Sequence, residues 1–312
     1  MRLLRQLTST GSGGREYVAA IGGFDGIHLG HRALIARAQQ LAAAQSRQSM
    51  VLTFEPLPKE YFARAEPPAR LTSFRERWRL LAADGPDALA ILRFTEQLRS
   101  RTAAQFATQL AAGGIRQIVI GHDFRAGYRG EASAQWFVEE GPRFGIAADV
   151  VAPVIGEGMR IGSGAIRAAL AAGNLPLAAR LLGRPYSMRG RVIRGQQLGR
   201  TLGYPTANLR LARRAAPFNG IFAVRVRGCS PGADPAPARD AVASLGTRPT
   251  VGGTTPLLEV HVFDFAGDLY GRELEVEFVA RLRDEERFDS VDAMVEQIHR
   301  DAAAARAALT DN

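Results

Sequence analysis

The chain has 312 residues, of which 46% are hydrophobic and 23% charged, and its formal net charge is +9. That is an ordinary globular composition, long enough for two cores. No apolar run reaches the roughly 18 residues of a membrane span, and residues 1–14 lack the apolar stretch of a signal peptide, so a cytoplasmic protein is expected. Cys229 is the only cysteine, and Lys59, behind Pro58, is the only lysine. Internal disulfides, multi-cysteine metal sites and a Gly-Lys-Ser/Thr phosphate loop are thereby excluded.

Continuous apolar runs at 17–21, 50–52, 88–92, 118–120 and 150–152 alternate with helical patterns over 30–44, 73–83, 102–112 and 133–144. Runs without alternation suit strands covered on both faces, and their interleaving with helices predicts a doubly wound parallel sheet with ligands beyond the carboxyl ends of its strands. Near residue 183 the period changes. Phe222, Val224 and Val226 alternate with Arg225 and Arg227, Leu258 to Val262 alternates with Glu259 and His261, and 273–281 alternates with glutamates. Period two with one polar face predicts antiparallel strands in a small barrel or sandwich. The expected domains are 1–183 and 184–312, the second closing with a helix over 290–309 capped by Asp289. Residues 229–239, rich in Pro and Gly, read as a loop. Between Glu157 and Asp234 there are 13 arginines and no acid. This block suits a polyanion such as a nucleoside triphosphate or a nucleic acid, or a plain solvated surface, and charge alone does not choose.

The segment GGFDGIHLGH, residues 22–31, follows the first apolar run and opens the first helix. Glycines let the backbone turn and approach a ligand closely, and a helix N-terminus offers free amides to a phosphate. His28 and His31, three apart, share a face and are suited to donate hydrogen bonds to charge developing at a phosphoryl group. A glycine turn with incidental histidines and a metal-binding pair are the competing readings. The segment resembles the nucleotidyltransferase signature of bacterial bifunctional riboflavin kinase/FAD synthetases. The resemblance assigns His28 and His31 to catalysis and Gly22, Phe24, Asp25 and Gly30 to ATP. TFEPLPKEYF, 53–62, is similar to the family's flavin-lining stretch and adds Phe54, Pro56, Pro58 and Phe62; Leu57 stands where the family usually has histidine. GHDFRAG, 121–127, adds Asp123 and Phe124 on the same grounds. IGSGAIRAAL, 161–170, resembles the motif that holds the triphosphate. Ser163 and Arg167 match it, while Gly162 and Gly164 replace its serine and threonine. Two missing hydroxyls, at about 0.5–1.5 kcal/mol each, imply ATP binding weakened about ten- to a hundredfold.

In GRTLGYPTANL, 199–209, Thr206 and Asn208 are two apart, which puts both on one side of an extended segment, and both are hard oxygen donors suited to magnesium on ATP phosphates. A proline turn entering a strand is the plain alternative. The segment resembles the family's riboflavin kinase signature, which assigns Gly199, Thr206 and Asn208 to ATP. Glu259 lies on the polar face of its strand, where a carboxylate can act as general base for phosphoryl transfer. A surface glutamate is the simpler reading, and Asp264 and Asp268 are rival bases. LEVHVFDFAGDLYG, 258–271, resembles the family segment in which the glutamate matching Glu259 is the base, and GTRPTVGG, 246–253, and LRDEERF, 282–288, also fit. The resemblance implies a six-stranded antiparallel β-barrel with a C-terminal helix. His261 and His299 are read as structural or surface residues.

The expected protein is thus α/β plus β, a Rossmann-like nucleotidyltransferase domain followed by a kinase barrel. It phosphorylates riboflavin to FMN with ATP and adenylylates FMN to FAD, releasing pyrophosphate. Its partners are riboflavin, FMN, ATP and Mg2+ or a similar cation, with no nucleic acid and no membrane, as a monomer or weak homo-oligomer. Gly162, Gly164 and Leu57 motivate one rival, a riboflavin kinase whose first half no longer catalyses. A pI of about 10.6 motivates another, a nucleic-acid binder, but no aromatic-rich basic stretch or helix-turn-helix pattern supports it.

Overall fold

The computed structural model describes residues 1–7, 13–195, 203–229, 237–250 and 253–310. The chain packs as two compact units, one of Met1–Pro68 with Arg77–Gly162 and one of Ala69–Glu76 with Ser163–Asn312. Residues 163–182 and the segment 69–76 therefore pack with the second unit, while the change of hydrophobic period falls at 183.

The first unit is built on strands β1 (Arg2–Leu4), β2 (Tyr17–Ile21), β3 (Gln48–Glu55), β4 (Ala88–Arg93), β5 (Ile115–Gly121) and β8 (Ala147–Val151). They form one sheet in the order β1-β4-β3-β2-β5-β8, and every neighbouring pair is parallel. All five residues of β2 are buried, as an apolar run covered on both faces requires. Strand β1, at the edge, is too short to carry a readable period. Short antiparallel pairs join β6 (Arg125–Ala126) to β7 (Ala132–Ser133) and β9 (Ile155–Gly156) to β10 (Met159–Arg160).

Helices α1 (Leu29–Ala44), α2 (Pro58–Phe62), α3 (Phe74–Asp84), α4 (Glu96–Arg99), α5 (Ala103–Ala112) and α6 (Ala134–Glu139) intervene. The helical pattern over 133–144 divides into α6 and a 3-10 turn at Gly141–Phe144. Pro142 has no N–H to continue the α-helical ladder. From β2 the chain moves outward through β3 and β4 on one side and through β5 and β8 on the other. The reversal between β2 and β5 is a topological switch point, where open α/β sheets bind ligands. The motif segments beginning at 22, 53 and 121 leave the carboxyl ends of three adjacent strands, β2, β3 and β5.

The second unit starts with α7 (Ser163–Ala171) and α8 (Leu175–Leu182). Strands β11 (Ser187–Ile193), β12 (Ala207–Leu211), β13 (Gly220–Arg227), β14 (Arg239–Thr250), β15 (Gly253–Val262) and β16 (Glu273–Arg283) close into an antiparallel barrel in the order β11-β12-β15-β14-β13-β16. Leu209, Leu245, Leu258, Leu274 and Val276 are fully buried in its core. The last helix, α9 (Val291–Thr310), covers Ile221, Ala223, Val242 and Phe263 with Ala302, Ala305 and Leu309. Its cap differs from expectation by one residue. The Ser290 hydroxyl, not Asp289, accepts the Ala293 N–H at 3.1 Å. Cys229 is a buried free thiol.

Segment 69–76 is held in this unit by ion pairing. The Arg213 guanidinium, with 0% side-chain exposure, donates to both Glu76 oxygens at 2.7 and 2.6 Å and to the Tyr186 hydroxyl at 3.0 Å. Glu76 also accepts the Arg189 N–H at 2.6 Å. Charges removed from water are tolerated when opposite charges and hydrogen bonds offset them in this way.

Candidate functional site

The phosphate-type turn follows β2 directly. Phe24 (φ +49°) and Ile27 (φ +42°) both occupy the left-handed region. Such strain in non-glycine residues costs about 1–3 kcal/mol each and clusters at functional sites. Phe24, Asp25, Ile27 and His28 are buried. His28 caps α1, its Nδ1 accepting the His31 backbone N–H at 3.2 Å. That bond places the neutral His28 proton on Nε2. The two imidazoles stack with centroids 3.6 Å apart and an interplanar angle of 18°, and Phe24 lies 4.9 Å from His31. A Cβ at Gly30 would sit 3.2 Å from the His28 ring and 3.3 Å from the Ile161 carbonyl oxygen, so only glycine lets the helix start this close.

His31 Nδ1 is buried with no hydrogen-bond partner among the described residues. Burial pushes the His31 imidazole well below its ordinary pKa, and the repulsion that two protonated stacked rings would feel and the Arg77 charge push it the same way. The ring is therefore neutral near pH 7, a hydrogen-bonding group rather than a cation.

Two residues behind the turn escape sequence reading. The Gly23 carbonyl accepts from Thr53 Oγ1 at 3.1 Å and from Arg77 Nη1 at 3.1 Å, and Arg77 Nη2 meets Glu55 at 2.8 Å. Leu57, in the family's histidine position, is buried near Gly23, whose Cβ would lie 3.8 Å from its Cδ2.

The segment after β3 gathers aromatic rings. Phe54 and Phe62 each lie 5.8 Å from Phe94 in edge-on contact, and Tyr61 lies 5.1 Å from it. Phe62 is 64% exposed, an unusual surface for a phenylalanine and an apolar platform for a planar ligand. Phe94 and Tyr61 join the expected Phe54 and Phe62 only through tertiary folding. Pro56 follows a cis peptide and Pro58 opens α2. After β5, Phe124 packs on Phe137 at 5.9 Å, and Asp123 pairs with Arg160 at 2.7 Å. Burial would raise the Asp123 carboxyl, but the Arg160 bond and charge outweigh it and hold it below the ordinary range.

Ser163 and Arg167 belong to the second unit, Ser163 as the first residue of α7. Arg167 Nε donates to the Ala69 carbonyl at 2.6 Å. Beta carbons at Gly162 and Gly164 would meet nothing within 4 Å.

On the barrel, Asn208 of β12 is directly opposite Glu259 of β15, and Glu259 directly opposite Ser244 of β14. Opposed residues of an antiparallel ladder share a face. Because Leu209, Leu258 and Leu245 fill the interior, the row Asn208–Glu259–Ser244 faces outward. Asn208 is 7% exposed and Glu259 half-buried. Thr206 is exposed, just ahead of β12 and outside the ladder. A Cβ at Gly195 would sit 2.6 Å from Asn208 Nδ2, so the backbone there lies against the carboxamide. His261 Nδ1 donates to the Pro205 carbonyl at 2.9 Å, tying the Thr206 segment to the strand of Glu259. Asp264 pairs with Arg306 at 2.9 Å. Gly199 and residues 230–236 lie outside the described residues, as do parts of the 246–253 motif.

A switch-point turn in one unit and a polar barrel row in the other mark a nucleotide-dependent transferase with two halves. The family model described as FAD synthetase matches residues 12–165, and that described as riboflavin kinase matches 182–309. The bifunctional riboflavin kinase/FMN adenylyltransferase of Escherichia coli strain K12 is 41% identical over 309 residues, 98% of this chain and 97% of that protein. The protein of the same description from Pseudomonas fluorescens is 41% identical over 313 residues, with the same coverage. A solved structure, described as a macrolide-efflux protein from Streptococcus pneumoniae, has a TM-score of 0.80 at 33% identity, over 98% of this chain and 99% of its own. No helix among the described residues is long and apolar enough to cross a membrane. The chain belongs to the bifunctional riboflavin kinase/FMN adenylyltransferase family, with both the kinase and the nucleotidyltransferase half present.

Proposed function

We propose that residues 184–312 carry phosphoryl transfer to riboflavin and residues 1–183 carry adenylyl transfer to FMN, with the residue roles that follow. The observation that carries this reading is the pairing of Glu259 with Asn208 across one barrel ladder, a carboxylate beside a phosphate-type oxygen donor. The ribityl 5′-hydroxyl attacks the γ-phosphorus of ATP, Glu259 accepts the hydroxyl proton, and ADP leaves. Thr206 and Asn208, with Gly199, orient the nucleotide. Their hydroxyl and carboxamide oxygens fit a hard divalent cation arriving on ATP phosphates, and they are the residues that would hold it. Such a cation, when bound, neutralises phosphate charge.

In the second reaction an oxygen of the FMN phosphate attacks the α-phosphorus of ATP and pyrophosphate leaves. That nucleophile is already ionised, so no base is required. The neutral His28 and His31 instead donate hydrogen bonds to the developing charge. Gly22, Phe24, Asp25 and Gly30 shape the phosphate turn, and Ser163 and Arg167 are ATP-binding by motif. Phe54, Pro56, Pro58, Phe62, Asp123 and Phe124 contact flavin, with the Phe62–Phe94 platform as the apolar surface. The cytoplasm, where ATP is available, is the proposed compartment. The protein is proposed to work as a monomer or weak homo-oligomer, without nucleic acid or membrane.

The test is chromatography of products over time from riboflavin, ATP and magnesium, and separately from FMN, ATP and magnesium. Wild type gives FMN then FAD in the first and FAD in the second. Formation of FMN alone in the first, with no FAD in the second, would reduce the protein to a kinase.

A further inference from the structure

We propose that Arg77 is a positioning residue for adenylyl transfer, fixing the Gly23 carbonyl beneath the phosphate turn that presents His28 and His31. The inference rests on the proposed role of that pair.

Arg77 is 1% exposed, one of very few buried charged side chains among the described residues. Burying a guanidinium is costly and is tolerated where its bonds are needed. One nitrogen donates to the Gly23 carbonyl at 3.1 Å, and another reaches Glu55 at 2.8 Å, at the carboxyl end of β3. The same carbonyl takes the Thr53 hydroxyl at 3.1 Å. Gly23 immediately precedes Phe24, where the backbone enters its left-handed conformation. The carbonyl is thus gripped twice at the point where the turn stores strain, which is what a strained conformation needs to persist.

The second effect is electrostatic. The titratable and charged groups acting on the His31 ring are His28, stacked on it within α1 and its cap, and the Arg77 cation of α3; Asp25 is the buried carboxyl of the same turn, and Glu55 is the partner of Arg77. A cation fixed nearby disfavours a second cation on the imidazole. His31 Nδ1 is buried without a hydrogen-bond partner among the described residues, so none of them stabilises an imidazolium at that nitrogen. Arginine suits both tasks. Its planar fork reaches two acceptors at once, and it does not lose its proton, whereas a lysine offers a single point.

The test uses the full chain with Arg77→Met and Arg77→Lys, measuring FAD formation from supplied FMN against pH. Riboflavin kinase activity of the same preparations serves as the reference, since Arg77 has no place in that site. Arg77→Met is expected to lower the adenylyl-transfer kcat about tenfold or more, the effect of losing charge-assisted bonds. Its acid limb is expected to move to higher pH, because removing the cation lets the imidazole protonate sooner. Arg77→Lys is expected to return the limb toward the wild-type position while leaving kcat low. Kinase rates stay at the wild-type level in both. A lowered kcat with an unmoved acid limb in Arg77→Met means a merely structural arginine and overturns the proposal. Equal loss of both activities in Arg77→Lys overturns it too. His31→Ala separates this from the parent reading. If His31→Ala keeps wild-type FAD synthesis, the role of the pair fails. If it abolishes FAD synthesis while the Arg77→Met limb stays put, only the Arg77 proposal fails.

Discussion

The two proposed reaction centres solve phosphate chemistry with opposite surroundings. At the β2 turn His28 and the Nδ1 of half-buried His31 are removed from water, the backbone is strained and the imidazoles stack at 3.6 Å. On the barrel the polar row lies on the outer face, with Thr206 exposed and Glu259 half-buried. The difference follows the nucleophile. An ionised FMN phosphate needs only pre-set donors, which gain strength away from water. A sugar hydroxyl needs a carboxylate that takes its proton, and a half-buried Glu259 can hand that proton on to water.

The largest effect expected from breaking this contrast is at Glu259. Glu259→Gln should lower FMN formation about 10²–10⁴-fold and leave FAD formation from supplied FMN intact, as read by product chromatography. Retained kinase activity would return the base assignment to Asp264 or Asp268. Glu76→Ala strands the Arg213 guanidinium in the second unit and should cost about 3–5 kcal/mol in denaturant unfolding of the full chain. Glu76→Leu with Arg213→Met should recover most of that loss. His31→Ala should reduce FAD formation about 10²–10³-fold with riboflavin phosphorylation unchanged, the mirror image of Glu259→Gln. The smallest effect lies at the substituted glycines. Gly162→Ser with Gly164→Thr meets open space and should lower the ATP KM of adenylylation by about ten- to a hundredfold. An unchanged KM would show that backbone donors already suffice.

How far the sequence discloses these centres depends on the distance between partners. The β2 run, the following glycine turn and the histidine spacing are contiguous, so strand, turn and helix start are readable together. The barrel strands betray themselves by alternation at 222–226 and 273–281. Register does not: that Ser244 and Asn208 flank Glu259 is decided by ladders joining residues up to 51 positions apart. Arg77 is hidden differently. It sits among Arg75 and Arg79 in FRERWRLL, and only its place four residues before buried Leu81 separates it from its solvated neighbours. Phe94 likewise follows β4 with nothing local to tie it to Phe62.

The bond between Glu76 and Arg213 has a consequence for anyone wishing to separate the halves. A fragment starting at residue 184 would inherit the guanidinium and forfeit its carboxylate, along with the loop that closes over Tyr186. Excising a self-sufficient kinase means grafting eight foreign residues, 69–76, back on, or first rewriting that cation as a hydrocarbon. Modular as the chain looks when read end to end, its cutting line runs through one helix, between two neighbouring side chains, 76 and 77.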